Sequence, residues 1–232
     1  MIVNEIFGPT FQGEGPSAGQ RCGFVRLGRC NLTCTWCDTP YTWDWSGANG
    51  TDYDPKVELH EYDIAGVVTQ LTAMDVSLVV ITGGEPLVQR SAVLALATVL
   101  GDLGIRVEVE TNGTISPSKE LLGAVNQCNV GIKLANSGVE EPKRIVPSAI
   151  EALRQGPSIF KFVATSVDDL DEVSSIQKRF ALEDDAIWIL PEGTSSNRIL
   201  DQSSLLAPYV LDRKWNLSTR LHILLWEDKR GV

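Results

Sequence analysis

The sequence predicts a single-domain α/β protein with a mostly parallel sheet, curved into a partial, open β/α barrel. Three observations carry this expectation. Short apolar, β-rich runs alternate with helical patterns along most of the chain, the order that builds parallel βαβ units. Those runs are too few for a closed eight-stranded barrel. A chain of 232 residues, 43% hydrophobic and 22% charged, has ordinary globular values and enough length for one sizeable core.

The strand-like runs are, in order, Gly23–Leu27, Leu78–Ile81, Ile105–Val109, Asn129–Ile132, Ile159–Val163, Ala186–Leu190 and Leu221–Trp226. Helical patterns lie between them. Ile64, Val67, Val68, Leu71 and Met74 recur at spacings that put them on one helix face. Ser91–Leu103 is apolar nearly all round, the pattern of a helix buried against a sheet. Leu170, Val173, Ile176 and Phe180 mark a third helix, with Asp168 and Asp169 suited to its N-terminus. A fourth runs from about Asn197 to Leu206. Residues 43–57 begin WDWSGANGTDYDPK and follow neither period, so they read as a loop insertion within the single domain 1–232.

Charge and cysteine usage exclude several classes. A net charge of −10 disfavours non-specific adhesion to nucleic acid or anionic lipid. The N-terminal MIVNEIFGPTFQGEG has no basic segment leading into an apolar one, so no signal peptide is expected. No run of 18 apolar residues occurs, so no membrane span is expected either. Five cysteines, an odd count without regular spacing, argue for a reducing, cytoplasmic setting.

The strongest chemical signal is Cys30-Asn-Leu-Thr-Cys34-Thr-Trp-Cys37. At this cysteine frequency the spacing is expected by chance roughly 0.002 times in such a chain. Three thiolates so close together can wrap a soft metal centre. Zinc would want a fourth local ligand, and His60 and His222 stand at no finger-like spacing. Three cysteines can instead hold three irons of a cubane and leave the fourth open. Thr82-Gly-Gly-Glu-Pro86 ends a strand; its glycines allow close backbone approach to an ammonium group, and a carboxylate such as Glu85 could support one. Cys22 and Cys128 read as small buried hydrophobes.

The cysteine cluster followed by Gly-Gly-Glu-Pro resembles the radical S-adenosylmethionine (SAM) superfamily. Gln12-Gly-Glu14-Gly15, Phe24-Val-Arg26-Leu, Cys37-Asp38-Thr39, Leu221-His222 and the Arg-Gly-Val232 terminus narrow the resemblance to the 7-carboxy-7-deazaguanine synthase family. The likeness spans nearly the whole chain. It implies conversion of 6-carboxy-5,6,7,8-tetrahydropterin to 7-carboxy-7-deazaguanine with loss of ammonia, a step towards queuosine and related bases. It implies a [4Fe-4S] cluster, catalytic SAM and Mg2+, an electron donor such as flavodoxin or ferredoxin, and a homodimer. A glycyl-radical-activating enzyme shares the cysteine spacing but has no need of Gln-Gly-Glu-Gly. A non-enzymatic zinc module would need no Gly-Gly-Glu-Pro.

Carried over residue by residue, the resemblance makes Cys30, Cys34 and Cys37 the cluster ligands and puts the Thr39 hydroxyl on magnesium. Trp36, Cys37, Asp38, Gly84, Glu110, Gly131, Ile132, Lys133 and the turn Leu190-Pro191-Glu192-Gly193 would face SAM. Phe11, Gln12, Gly13, Glu14, Arg26, Thr82, His222 and Val232 would face the pterin, and Glu14 and Lys133 would act in catalysis. The chemistry suits these roles: Gln12 and Glu14 can match the donors and acceptors of a pterin edge, and Arg26 suits a substrate carboxylate. One departure stands out. Gly131-Ile132-Lys133 replaces the family's usual Ser-Pro-Lys, so a SAM-contacting hydroxyl is missing and only backbone contacts are expected there. If Leu221–Trp226 is a buried final strand, the six residues after it span at most about 20 Å, enough to bring the last residue over a central site.

Overall fold

Side-chain alternation along the strands sets up two chemically different sheet faces. Val25, Leu27, Val79, Ile81, Val107, Val109, Cys128, Val130, Phe160, Phe162, Ile187 and Ile189 belong to one buried apolar cluster. Their alternates Phe24, Arg26, Thr82, Glu110, Asn129, Gly131, Lys161, Val163 and Leu190 line a cavity. The strands therefore read as apolar runs interrupted by single polar residues, as a period of two requires when one face packs on helices and the other faces a site.

In the computed structural model, which describes residues 1–232, the strands are β1 Ile2–Phe11, β2 Arg21–Leu27, β3 His60–Glu61, β4 Leu78–Gly83 and β5 Arg106–Thr111, followed by β6 Gln127–Gly131, β7 Ser158–Ala164, β8 Ile187–Pro191 and β9 Asn216–Leu217. They form one sheet in the order β3-β1-β2-β4-β5-β6-β7-β8-β9. From β2 to β9 every pairing is parallel, whereas β1 runs antiparallel to both β2 and β3. The edge strands β3 and β9 do not pair with each other, so the barrel is open. The helices are α1 Pro55–Glu58, α2 Ile64–Ala73, α3 Arg90–Asp102, α4 Lys119–Ala124 and α5 Glu141–Arg144, then α6 Pro147–Arg154, α7 Asp169–Phe180, α8 Ser196–Asp212 and α9 Leu221–Trp226. None is long and apolar enough to cross a membrane.

All but the last of the apolar runs expected as strands are strands. Leu221–Trp226 is the helix α9, not a buried final strand. Only Ile223 is buried, Leu225 is exposed, and the Leu224 N–H returns to the Arg220 carbonyl at 3.1 Å. A six-residue apolar run carries no decisive period, and here docking decides: the Leu221 N–H donates to the Gly13 carbonyl at 2.9 Å, and Trp226 stacks on Phe11. The strand β1 went unrecognised because its register with β2 shifts twice, between Val3 and Glu5 and between Phe7 and Thr10, which scrambles the alternation. The helix α3 is two-faced rather than apolar all round: Val93, Leu96, Ala97 and Leu100 are buried while Val99, and Leu103 just past its end, are exposed. The helix α8 continues beyond Leu206 through Pro208 to Asp212. Within residues 43–57, the last part forms the start of α1, capped by the Asp54 carboxylate on the Lys56 N–H.

Candidate active site

At the C-terminal ends of the parallel strands lies a cavity of about 740 Å3, the position where a β/α sheet gathers its loops. Its walls come from the inner sheet face, the loop 30–43 after β2, the N-terminal segment Phe11–Glu14, and the chain end Asp228–Val232.

The cysteine loop is pressed against the end of β4. A side chain at Gly83 would overlap the Leu27 backbone, and one at Gly84 would overlap the Arg29 carbonyl and Cys30. The glycine pair is thus required for close approach of the cysteine loop itself. Gly84 and Glu85 hold that loop through N–H bonds to the Leu27 and Arg29 carbonyls at 3.0 and 2.8 Å. Glu85 does not support a ligand ammonium. It is fully buried and accepts from the Leu87 N–H, the Thr111 hydroxyl and the Asn112 N–H at 2.8, 2.8 and 2.6 Å. Burial raises its pKa, against which those three donors act.

Cys30, Cys34 and Cys37 all face the cavity as free thiols. Burial pushes the Cys30 thiol up to about 12 and raises Cys34 too, with the Lys133 ammonium acting in the opposite direction at both. A metal must displace those protons to bind. No three His, Cys, Asp or Glu side chains converge on one point, as the ligands of a single ion must. Three thiols on one cavity are a donor set for a soft metal centre, and in a cubane each thiolate would take its own iron. The Leu32 N–H lies 3.5 Å from Cys30 Sγ, and the Trp43 indole N–H 3.3 Å from Cys37 Sγ. Lys133 Nζ stands over the Trp36 ring, 5.3 Å from its centroid.

The same cavity holds a network of charges that reaches the cysteine loop at Asp38. Glu14 accepts from Lys161 Nζ at 2.8 Å and from Arg220 Nε at 3.1 Å. Arg220 also donates to Asp38 and to the Gly193 carbonyl, the latter at 2.9 Å. Glu110 accepts from Thr82 at 2.9 Å and from Gln12 and Lys161 at 3.3 Å each. Burial would raise the Glu14 pKa, but the Lys161 ammonium and the Arg220 guanidinium outweigh it and hold the carboxyl well below its usual range. At His222 burial dominates and lowers the pKa, favouring neutral imidazole. Gly13 lies flat against that ring; a Cβ there would overlap Nδ1.

Arg26 donates to Glu5 at 2.7 Å, and its guanidinium lies 5.4 Å from the Phe7 ring centroid. Glu5 also bonds Arg230 at 3.3 Å, and Arg230 in turn bonds Glu58 at 2.8 Å and stacks 3.8 Å over Tyr41. The chain end is thereby clamped across the cavity.

Of the residues singled out from sequence, Phe11, Gln12, Gly13, Glu14, Arg26, Trp36, Asp38, Thr39, Thr82, Gly84, Glu110, Gly131, Ile132, Lys133, Leu190, Glu192, His222 and Val232 line this one cavity with the three cysteines. Pro191 and Gly193 do not; Pro191 is buried at the end of β8, and Gly193 contributes the carbonyl that fixes Arg220. Sequence reasoning missed Lys161, Arg220, Tyr41 and Trp43. Lys161 had a legible signal: a lone lysine inside the apolar run Ile159–Val163 must find a partner to be buried. Arg220 had none, because its partners are remote in sequence.

Residues 25–181 match the family model of the radical SAM superfamily. The chain is 33% identical over 231 residues to the 7-carboxy-7-deazaguanine synthase of Pyrobaculum aerophilum, covering 99% of this chain and 96% of that one. It is 30% identical over 235 residues to the enzyme of that name from Hyperthermus butylicus, with coverage of 97% and 92%. The Bacillus subtilis enzyme of that name is 30% identical over 250 residues, with coverage of 99% and 98%. Among solved structures, QueE from Escherichia coli superposes with a TM-score of 0.72 at 25% identity, covering 95% of this chain and 94% of that one.

Proposed function

The chain belongs to the 7-carboxy-7-deazaguanine synthase family of the radical SAM superfamily, and on that basis we propose that it converts 6-carboxy-5,6,7,8-tetrahydropterin to 7-carboxy-7-deazaguanine with release of ammonia. One observation carries the reading. A single cavity is lined by three free thiols together with Gln12, Glu14, Arg26, Thr82 and Glu110.

Membership of the superfamily implies a [4Fe-4S] cluster and SAM, for which Cys30, Cys34 and Cys37 are the ligands at hand. Together the two cofactors supply, when bound, a carbon radical that can remove a hydrogen atom from the pterin carbon beside the carboxylate. The protein's part is to orient, hold charge and exclude water. Gln12 and Glu14 would pair with the pterin edge, and Lys161 and Arg220 keep Glu14 ionised for that purpose. Arg26 would anchor the substrate carboxylate, already oriented by Glu5. The neutral His222 and the clamped residues Asp228–Val232 close the remaining side against solvent. Trp36, Asp38, Gly84, Gly131, Ile132, Lys133 and the Leu190–Glu192 edge would hold SAM. Thr39, which lines the cavity beside Asp38, would bind Mg2+ through its hydroxyl together with substrate oxygens.

The remaining proposals are coarser. A homodimer is proposed on the family resemblance alone. A flavodoxin or ferredoxin would supply the electron, and the setting would be cytoplasmic. The test is anaerobic reconstitution with iron and sulfide, then addition of SAM, Mg2+, a strong one-electron reductant and the carboxypterin. Appearance of the deazaguanine chromophore supports the reading. SAM cleavage without any pterin consumption overturns it.

A further inference from the structure

We propose that Trp43 is a positioning residue for the iron–sulfur cluster, its indole N–H donating to the Cys37 sulfur and making the cluster easier to reduce. The indole Nε1 lies 3.3 Å from Cys37 Sγ, the only side-chain nitrogen hydrogen-bonded to any of the three cavity thiols. The contact is built in from both sides. Before Trp43, the Thr42 N–H and hydroxyl bond the Thr39 carbonyl at 3.0 and 2.8 Å, and the Trp43 N–H returns to the Pro40 carbonyl at 3.0 Å. The Thr42 carbonyl accepts from the Arg29 N–H at 2.7 Å, tying this turn to the residue next to Cys30. After Trp43, the buried Asp44 carboxylate gathers the Ser46, Ala48 and Asn49 N–H groups at 3.1, 3.2 and 2.7 Å. The loop insertion that carried no chemistry in the sequence is thus folded around the residue that holds the indole.

The physical consequence follows from charge. A donor aimed at a ligating sulfur withdraws electron density, and it stabilises the reduced cluster, which carries one more negative charge, more than the oxidised one. Two other contacts reach these sulfurs: the Leu32 N–H to Cys30 is backbone and cannot be removed by substitution, and the Thr39 hydroxyl lies 3.8 Å from Cys37 Sγ, farther than the indole nitrogen. Trp36 provides an internal control: its ring is on the same cavity wall, but its indole N–H bonds the Asn136 carbonyl at 3.0 Å instead of a sulfur.

The inference rests on Cys37 being a cluster ligand, so iron content is measured separately from potential. The full chain is reconstituted anaerobically without SAM, and the midpoint potential is read by redox titration monitored by electron paramagnetic resonance. Trp43→Phe keeps the ring and removes the donor. Its cluster should carry the wild-type iron content at a more negative potential, whereas Trp36→Phe should leave the potential unchanged. An unshifted potential in Trp43→Phe, or an equal shift in Trp36→Phe, overturns the proposal. If Trp43→Phe takes up no cluster, the reduced wild-type cluster is examined by pulsed hyperfine spectroscopy with 15N-indole tryptophan. A nitrogen coupling supports the bond, and its absence overturns it. A wild-type chain that binds no iron overturns this inference and the ligand assignment together.

Discussion

Replacing Arg220 with Met removes the one side chain that joins the proposed pterin segment, the cysteine loop and the turn after β8. The cost can be worked from its partners. Arg220 and Glu14 are 9% and 16% exposed, and breaking a buried pair from one side costs about 3–5 kcal/mol. Glu14 keeps Lys161 at 2.8 Å, so roughly half of that, about 2 kcal/mol, is the expected share. Asp38 is 46% exposed and adds well under ~1 kcal/mol once solvent screening is counted. The Gly193 carbonyl loses its donor at a cost of about 1 kcal/mol. The total of about 3 kcal/mol should lower Tm by about 6–12 °C in a chain of this length. The assay is thermal unfolding of thiol-reduced, anaerobic protein followed by circular dichroism. Arg220→Lys should recover only part of the loss, since one ammonium cannot serve three acceptors as a planar guanidinium does. A Tm within about 2 °C of wild type in Arg220→Met would refute the reasoning, because that change corresponds to at most about 1 kcal/mol.

The other expectations are local. Replacing any of Cys30, Cys34 or Cys37 with Ala should abolish the brown chromophore, while Cys22→Ala and Cys128→Ala should keep it; iron analysis decides. Gly13→Ala must push the His222 ring aside and should raise the substrate KM about tenfold or more, with iron content unchanged, as steady-state kinetics will show. The His222 pKa is lowered from 6.5, chiefly by burial, so unfolded chains take up a proton that folded ones resist. That contribution is fully present above about pH 6.5 and is lost as pH falls below it, and His222→Asn should flatten the decline in denaturant titrations below about pH 6.5. Thr39→Ala should lower turnover and raise the Mg2+ requirement without changing SAM affinity, and activity indifferent to chelators would count against the role.

What was legible in the sequence is what spacing and alternation encode. The three cysteines, the Gly-Gly-Glu-Pro turn and six of the strands are local patterns, and the residues they carry meet in one cavity. The failures are equally physical. The run Leu221–Trp226 was too short to declare a period, and its docking on Gly13, far away in sequence, chose a helix. The second constraint on the glycine pair, its close approach to the protein's own backbone at Leu27 and Arg29, joins segments far apart in sequence and is invisible in the motif. The partners of Glu14, at Lys161 and Arg220, come from opposite parts of the chain and share no motif with it. Charge pairing of this kind is fixed by topology, which places β7 and the start of α9 around the N-terminal segment.

The central claim is that this cavity brings the cluster-held SAM against the pterin carbon that bears the substrate carboxylate. It is tested most directly with carboxypterin deuterated at that carbon, incubated anaerobically with the reconstituted full chain, SAM, Mg2+ and reductant. Mass spectrometry of recovered SAM and of 5′-deoxyadenosine reads the outcome. The account predicts deuterium at the 5′ carbon, together with 7-carboxy-7-deazaguanine. Formation of 5′-deoxyadenosine that carries no deuterium, with the pterin recovered intact, would contradict it.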